Sequence, residues 1–296
     1  MKQQKKTGEK RHVISRMMAA LSSRIMKIMS CVTKIAVAAA AFLTIGVLLL
    51  LIGFVLIKGI PNIKPELFAL HYTTENVSML PAIVNTFLMT ACALIFAVPL
   101  GLFTAVYLVE YAGRGNKVVS IIRITSETLS GIPSIVYGLF GMLFFVTYLG
   151  FGYSILAGAC TLAIMILPLV IRTAEEALKA VPDTYREASY GLGAGRLRTV
   201  FKIALPAAGS GILAGIILAV GRIVGETAAL IYTAGTVADL PNSLMSSGRT
   251  LAVHMYALSG EGFYTDQAYA TAVVLLVFVL LVNTLSAYVA RKLTKA

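Results

Sequence analysis

The sequence has no tryptophan, three cysteines, three histidines and only thirteen acidic residues among 296. Each scarcity excludes something. Cys31, Cys92 and Cys160 lie in or beside apolar segments without metal-ligand spacing. They read as small buried hydrophobes, with no disulfide framework and no zinc site. His12, His71 and His254 are too scattered to suggest a metal or acid–base centre. A phosphate-binding loop is also missing. Gly191-Leu192-Gly193-Ala194-Gly195 is glycine-rich but lacks the Gly-Lys-Ser/Thr ending and the preceding strand, and Gly113 to Lys117 fails the spacing. Charged residues make up 13% of the chain against 58% hydrophobic, more apolar surface than a soluble domain can hide.

What is present is a series of runs of about 20 mostly apolar residues, each able to cross a hydrocarbon core roughly 30 Å thick. Helices satisfy every backbone group within the segment, and the alternating strands of a membrane barrel are not visible. The expected fold is all-α and polytopic, with six transmembrane helices near 35–57, 83–108, 132–149, 154–171, 211–233 and 268–289. Ser130-Gly131-Ile132-Pro133-Ser134 opens the third span, where proline suits a first turn. Pro168 falls near the end of the fourth, where it can kink the helix.

The formal charge of +12 reflects a membrane rather than a nucleic acid. Lys2, Lys5, Lys6, Lys10, Arg11, Arg16, Arg24, Lys27 and Lys34 precede the first span, against one acid, Glu9. Such a block holds a cytoplasmic segment beside anionic lipid. Residues 1–34 therefore read as a basic cytoplasmic segment. Within it, Met17, Met18, Leu21, Ile25 and Ile28 recur at helical spacing, as in a helix lying on the membrane surface, although a basic tail without fixed structure fits as well. The polar lead is too long for a signal peptide. The 109–125 connection, the 172–206 connection and the tail at 291–296 are basic, whereas 150–153 carries no charge and 235–267 has Arg249 as its one basic residue. Both termini are thus expected in the cytoplasm of a multi-pass protein of the bacterial plasma (inner) membrane.

The 182–206 stretch is the most informative. Pro182 opens a short helix through Tyr190, Gly191 and Gly193 end it, and a second helix from about Arg196 to Ala204 stops before Pro206. Ala188 and Ser189 keep one face of this knob shallow for close approach, while Glu187 offers a carboxylate to a partner. The spacing of Glu187-Ala188-Ser189, Gly193 and Ile203-x-Leu205-Pro206 resembles the "EAA" loop of ABC-importer permeases. The one departure is Ser189, where the family usually has alanine. The resemblance implies that this loop inserts into a cleft of a separate cytoplasmic ATPase. ATP would be used there, with no cofactor in this chain.

The fifth span carries charge. Arg222 lies about eleven residues into it, roughly 16 Å along the helix and close to the midplane. An arginine there costs roughly 2.5–3.5 kcal/mol on insertion scales, so it faces protein or water. Glu226, four residues on, shares its face. Gly211, Gly215 and Ala219 form one small-residue stripe; Gly221, Gly225 and Ala229 form another. Two readings stand. Arg222 offers a planar fork of donors to a tetrahedral oxyanion in the substrate path, held by Glu226, with Thr227 sharing the role. Alternatively, Arg222 and Glu226 form a fixed ion pair that locks the span to a neighbour. Arg172, at the end of the fourth span, is a weaker path candidate that snorkelling to the interface also explains.

Arg222-Ile223-Val224-Gly225-Glu226-Thr227-Ala228 resembles a segment of the phosphate-specific permeases, as do Ile132 to Phe140 and Leu167 to Arg172. The likeness covers about 76–290 and is nearest to the A-type membrane subunit of that importer family. It implies an ABC type I importer architecture, with inorganic phosphate as cargo. The partners implied are a homologous permease, two ATPase subunits and an extracytoplasmic phosphate-binding protein. The chain itself is expected not to be an enzyme. A permease for another oxyanion (sulfate or molybdate) and a gradient-driven transporter are the alternatives; the latter more often shows internal repeats or several intramembrane acids.

Overall fold

The computed structural model describes residues 2–112 and 117–294, and among them there is no strand. The chain divides into two units, Met1–Ile57 and Lys58–Ala296. The first unit belongs to one long helix, α1 (Lys2–Gly59), which continues without a break through the boundary expected at residue 34. The side chains of residues 2–25, 27 and 28 lie outside the described set, so the surface-helix expectation lies there too.

In the second unit α2 (Leu80–Val106) runs on through wide turns to Tyr111. The helices α3 (Lys117–Ser130) and α4 (Ser134–Gly141, extended by wide turns to Tyr148) follow. Next come α5 (Ile155–Lys179), α6 (Asp183–Gly191), α7 (Arg196–Thr199) and α8 (Leu205–Val224). The chain closes with α9 (Ala228–Ile231), α10 (Leu251–Glu261) and α11 (Thr265–Thr294). Among the described residues five helical segments are long and apolar enough to span a membrane. The pair Lys117–Ser130 and Ser134–Tyr148, bent by 103°, supplies a sixth if counted as one.

Packing around α5 sets the core. Met89, Ala93, Ala97, Gly101 and Ala105 recur every four residues on α2 and are all buried, a small-residue stripe that lets two backbones approach. At Gly101 an added Cβ would stand 2.7 Å from Val170 Cγ1. The first stripe expected on the fifth span does the same work on the other side. An added Cβ at Gly211 would come within 2.7 Å of Ala177 Cβ, one at Gly215 would strike Thr173 Oγ1, and Ala219 is fully buried.

Four expectations about element boundaries need correction. Residues 117–125 are not a connection but part of α3, which ends because Gly131-Ile132-Pro133 cannot continue it: proline bars its predecessor from helical geometry. Pro133 sits before the first turn of α4, at its cap, rather than inside that turn. The fourth span does not stop at Ile171. It passes through Pro168 to Lys179, carried by contacts four residues apart, Arg172 with Glu176 and Glu175 with Lys179. The fifth span, finally, is one helical stretch from Arg196 to Val224, so Pro206 does not stop it. The wide turns at Val200–Ala204 absorb the proline, and Pro206 lies at the first positions of α8. The 235–267 loop also holds a helix, α10, capped by the Thr250 hydroxyl on Val253 N–H and ended by Gly262 at φ 72°.

Candidate functional site

Two sites emerge, an elbow and a cavity. The elbow is α6, its turn and α7. Gly193 takes φ 82° and its N–H bonds Tyr190 O, the left-handed stop expected there. A groove of about 490 Å³ is lined by Tyr185, Ala188, Ser189, Leu192, Gly193, Ala194, Arg198, Lys202 and Ile203. Leu192 stands 89% exposed at its rim. Glu187 is exposed beside the groove and makes no ion pair among the described residues.

Of the residues assigned to this loop, the structure gathers Ala188, Ser189, Gly193 and Ile203 at one groove and leaves three outside it. Glu187 is adjacent, Leu205 packs inward against the core around Leu178 and Val200, and Pro206 is exposed elsewhere on the helix. Ser189 does more than stay small. It is buried, and its hydroxyl bonds the Thr199 hydroxyl at 2.8 Å, tying α6 to α7. Its expected role as an open contact face therefore passes to Ala188.

The residue missed in this loop is Arg186. It is a side chain buried against an acid 76 positions away, Glu110, whose carboxylate oxygen accepts from Arg186 Nε at 3.0 Å and Nη2 at 2.8 Å. Arg186 also donates to the carbonyls of Val181 and Leu178 and to Asp183. The bond to Glu110 holds the guanidinium above its usual range, against the opposing effect of burial. Glu110 is 4% exposed, so Arg186→Ala leaves a buried carboxylate uncompensated. The expected loss is about 3–5 kcal/mol, read as a lowered melting temperature. The double variant Glu110→Ala, Arg186→Ala should recover part of it.

The cavity, of about 260 Å³, lies between α3, α5 and α8. Arg123, Arg172, Lys179 and Arg222 line it, together with Glu127, Glu175, Glu176, Ser126 and Ser130. Most of the charges neutralise one another. Glu175 Oε1 lies 2.6 Å from Arg123 Nη2 and 2.6 Å from Lys179 Nζ. Arg172 Nε donates to Glu176 at 3.0 Å, with Glu127 close enough for its charge to act on Arg172. Arg222, half-buried, has no carboxylate partner among the described residues. The antiparallel register of Gly211 with Ala177 and Gly215 with Thr173 carries Arg222 level with Met165 and Ile166. That is the middle of α5, but on its own helix Arg222 does not lie eleven residues into a longer span: it sits near the end of a stretch that begins at Arg196 and stops at Val224.

The structure thus brings Arg222 and Arg172 together and separates Glu226 and Thr227 from them. The helix stops at Val224. Glu226 turns away, and its carboxylate accepts from Ala229 N–H at 3.1 Å, anchoring the turn before α9. The expected Arg222–Glu226 pair is absent because a side chain four residues on shares a face only while the helix continues. The second small-residue stripe fails for the same reason. Gly221 and Gly225 meet no packed neighbour, and Ala229, beyond the break, packs on Gly138 of α4.

A bundle of long apolar helices with a two-helix elbow between spans and a charged cavity is a membrane permease of the ABC type I importer kind. The chain matches the family "binding-protein-dependent transport system inner membrane component" over residues 97–295, and it belongs to that family. The family works with a solute-binding protein and a separate ATPase, and the chain is accordingly a multi-pass protein of the inner membrane. It is 33% identical over 261 residues to a probable ABC transporter permease protein, YqgI, of Bacillus subtilis, covering 80% of this chain and 87% of that one. It is 35% identical to the phosphate transport system permease protein PstA of Pasteurella multocida, covering 76% of this chain and 81% of the relative. Among solved structures, a bacterial ABC transporter involved in import of the acidic polysaccharide alginate superposes with a TM-score of 0.61. At 16% identity, over 82% of this chain and 89% of that one, it supports the fold alone.

Proposed function

We propose that this chain is the permease subunit of an ATP-driven importer for inorganic phosphate. It forms half of the translocation path beside a homologous permease, with two ATPase subunits and an extracytoplasmic phosphate-binding protein. The observation that carries the reading is Arg222, a cation with no carboxylate partner among the described residues, facing a cavity beside the middle of α5. A guanidinium left free in that place has its fork available to a tetrahedral oxyanion. Arg172 sits in the same cavity but already engages Glu176, so it contributes field rather than a free fork.

Sulfate would find the same donors. The relatives named for phosphate transport favour phosphate over sulfate or molybdate. The elbow favours an ATPase partner over a gradient-driven cycle. The excess of basic residues in the elbow and the tail supports a cytoplasmic placement for both, and with them both termini. In the cycle, ATP closes the ATPase dimer, α6 moves with it, and the Arg186–Glu110 contact passes the movement to the end of α2. The α5–α8 walls of the cavity then shift. The test is uptake of labelled phosphate by the reconstituted complex. Uptake that needs ATP and is poorly competed by sulfate is expected, and uptake by this chain without a nucleotide-hydrolysing subunit would overturn the reading.

A further inference from the structure

A second cation lies unmet at the end of the bundle away from the elbow. Arg249 precedes α10 and packs beside the starts of α2 and α5. Its carbonyl accepts from Asn85 Nδ2 at 3.2 Å, and the preceding loop pairs with α5 through Ile155 N–H to Ser246 O. Arg249 is 5% exposed, yet its Nε and Nη2 have no hydrogen-bond acceptor. These are the two adjacent donors of the guanidinium edge that grips a planar or tetrahedral oxyanion in two parallel bonds. Its Cζ stands 4.7 Å from the centroid of the Tyr72 ring, an attraction that holds the cation in place but fills neither donor.

The same ring carries the second observation. His254, fully buried, meets Tyr72 edge-on at 6.2 Å between centroids. A Val77 backbone group interacts loosely with its imidazole, yet neither ring nitrogen makes a hydrogen bond of ordinary geometry. Burial, with the charge of Arg249 adding to it, pushes the imidazole down to about 3. A neutral ring has one N–H to give and one lone pair to fill. Among the described residues no carboxylate forms an ion pair with either residue. Asp239, the acid of the adjoining loop, touches this region only through its backbone oxygen, which Asn85 engages.

A buried charge with an unmet fork and a buried imidazole with no more than a loose backbone contact are each costly to the fold. Their coincidence on one tyrosine indicates a ligand that supplies acceptors and also a donor. A protonated tetrahedral oxyanion has both, since its P–O oxygens accept from the arginine and its P–OH can donate to the imidazole. Fully ionised sulfate has only acceptors.

We propose that Arg249, with His254 and Tyr72 beside it, is an oxyanion station distinct from the Arg222 cavity, selective for hydrogen phosphate and closed in this conformation. It extends the phosphate reading above and rests on it for the identity of the anion. The station occupies the far end of the bundle, so cargo would meet Arg249 before Arg222.

The test measures equilibrium binding of labelled phosphate to the purified full complex in lipid nanodiscs, with sulfate as competitor, and melting temperature alongside. Arg249→Gln is expected to weaken phosphate binding at this station at least tenfold while the Arg222 cavity still binds. Arg249→Lys, which keeps the charge and loses the fork, should fall between. His254→Leu provides the second line if the arginine variants fail to fold. It removes both ring nitrogens at the cost of the loose Val77 contact, so it should leave the complex about as stable while weakening phosphate relative to sulfate. Wild-type phosphate binding in folded Arg249→Gln or in His254→Leu would overturn the station, because water alone would then satisfy these groups. Binding that depends on Arg249 but prefers sulfate would instead overturn the phosphate reading and the selectivity argument together, leaving only an unselective anion site.

Discussion

Replacing Arg222 by glutamine is expected to abolish phosphate uptake while the complex still assembles. Among the described residues Arg222 makes no ion pair, so its loss strands no carboxylate there. Glu226 keeps its bond to Ala229 N–H regardless, and the helix end at Val224 does not depend on the guanidinium. What disappears is the one lining cation not engaged by an acid. Truncating one side of a desolvated charge contact costs about 2–5 kcal/mol, which corresponds to a loss of roughly 30-fold or more in transport at limiting phosphate. The measurements are uptake in vesicles and co-purification of the partner subunits. Loss of assembly would mean that Arg222 is a structural contact to another subunit, and that outcome would falsify its role as a cargo ligand.

Reversing the charge at Glu187 should uncouple ATP hydrolysis from uptake. Glu187 is exposed on α6 and has no ion-pair partner among the described residues, so its carboxylate is available to a docked surface. The adjacent groove already carries Arg198 and Lys202. Glu187→Arg adds a third cation where a complementary charge is expected, and like charges brought together at an interface cost several kcal/mol. The fold should survive, because the bonds that hold the elbow run through Arg186 and Ser189 instead. Uptake should fall below about a tenth of the parent while the ATPase continues, again a matter of more than 1.4 kcal/mol. Normal uptake in vesicles, with hydrolysis still stimulated by cargo, would remove Glu187 from the coupling surface.

The contrast between these two sites shows what a linear pattern can and cannot carry. The elbow was legible because its signals are local. Glycine at Gly193 takes a conformation few other residues accept, and the small residues and glutamate lie within a few positions of it. The depth of Arg222 was legible only relative to an assumed helix start, since rise converts residue number into distance from that start and the real stretch begins at Arg196 and ends at Val224. The Arg222–Glu226 pair was not, because spacing of four means proximity only inside a continuous helix, and Gly225 ends this one. Nothing within a few residues of Arg186 announces Glu110, 76 positions earlier. Even there a trace existed: an isolated acid at the end of an apolar run needs a partner, although which one the chain order does not say.

By its own composition and periodicity the chain settled that it crosses a membrane as helices, where the elbow lies, and that its fifth apolar segment carries a cation, Arg222. Those properties depend on the solvent and on neighbours in sequence. The tertiary structure alone decided that Arg172 and Lys179 are occupied while Arg222 has no acid partner among the described residues, that Ser189 faces inward, and that Arg249, with its Nε and Nη2 unmet, and His254 converge on Tyr72. Ion pairing and burial are settled by distances between segments remote in the chain. Those distances come from helix packing across small residues such as Gly101 and Gly215.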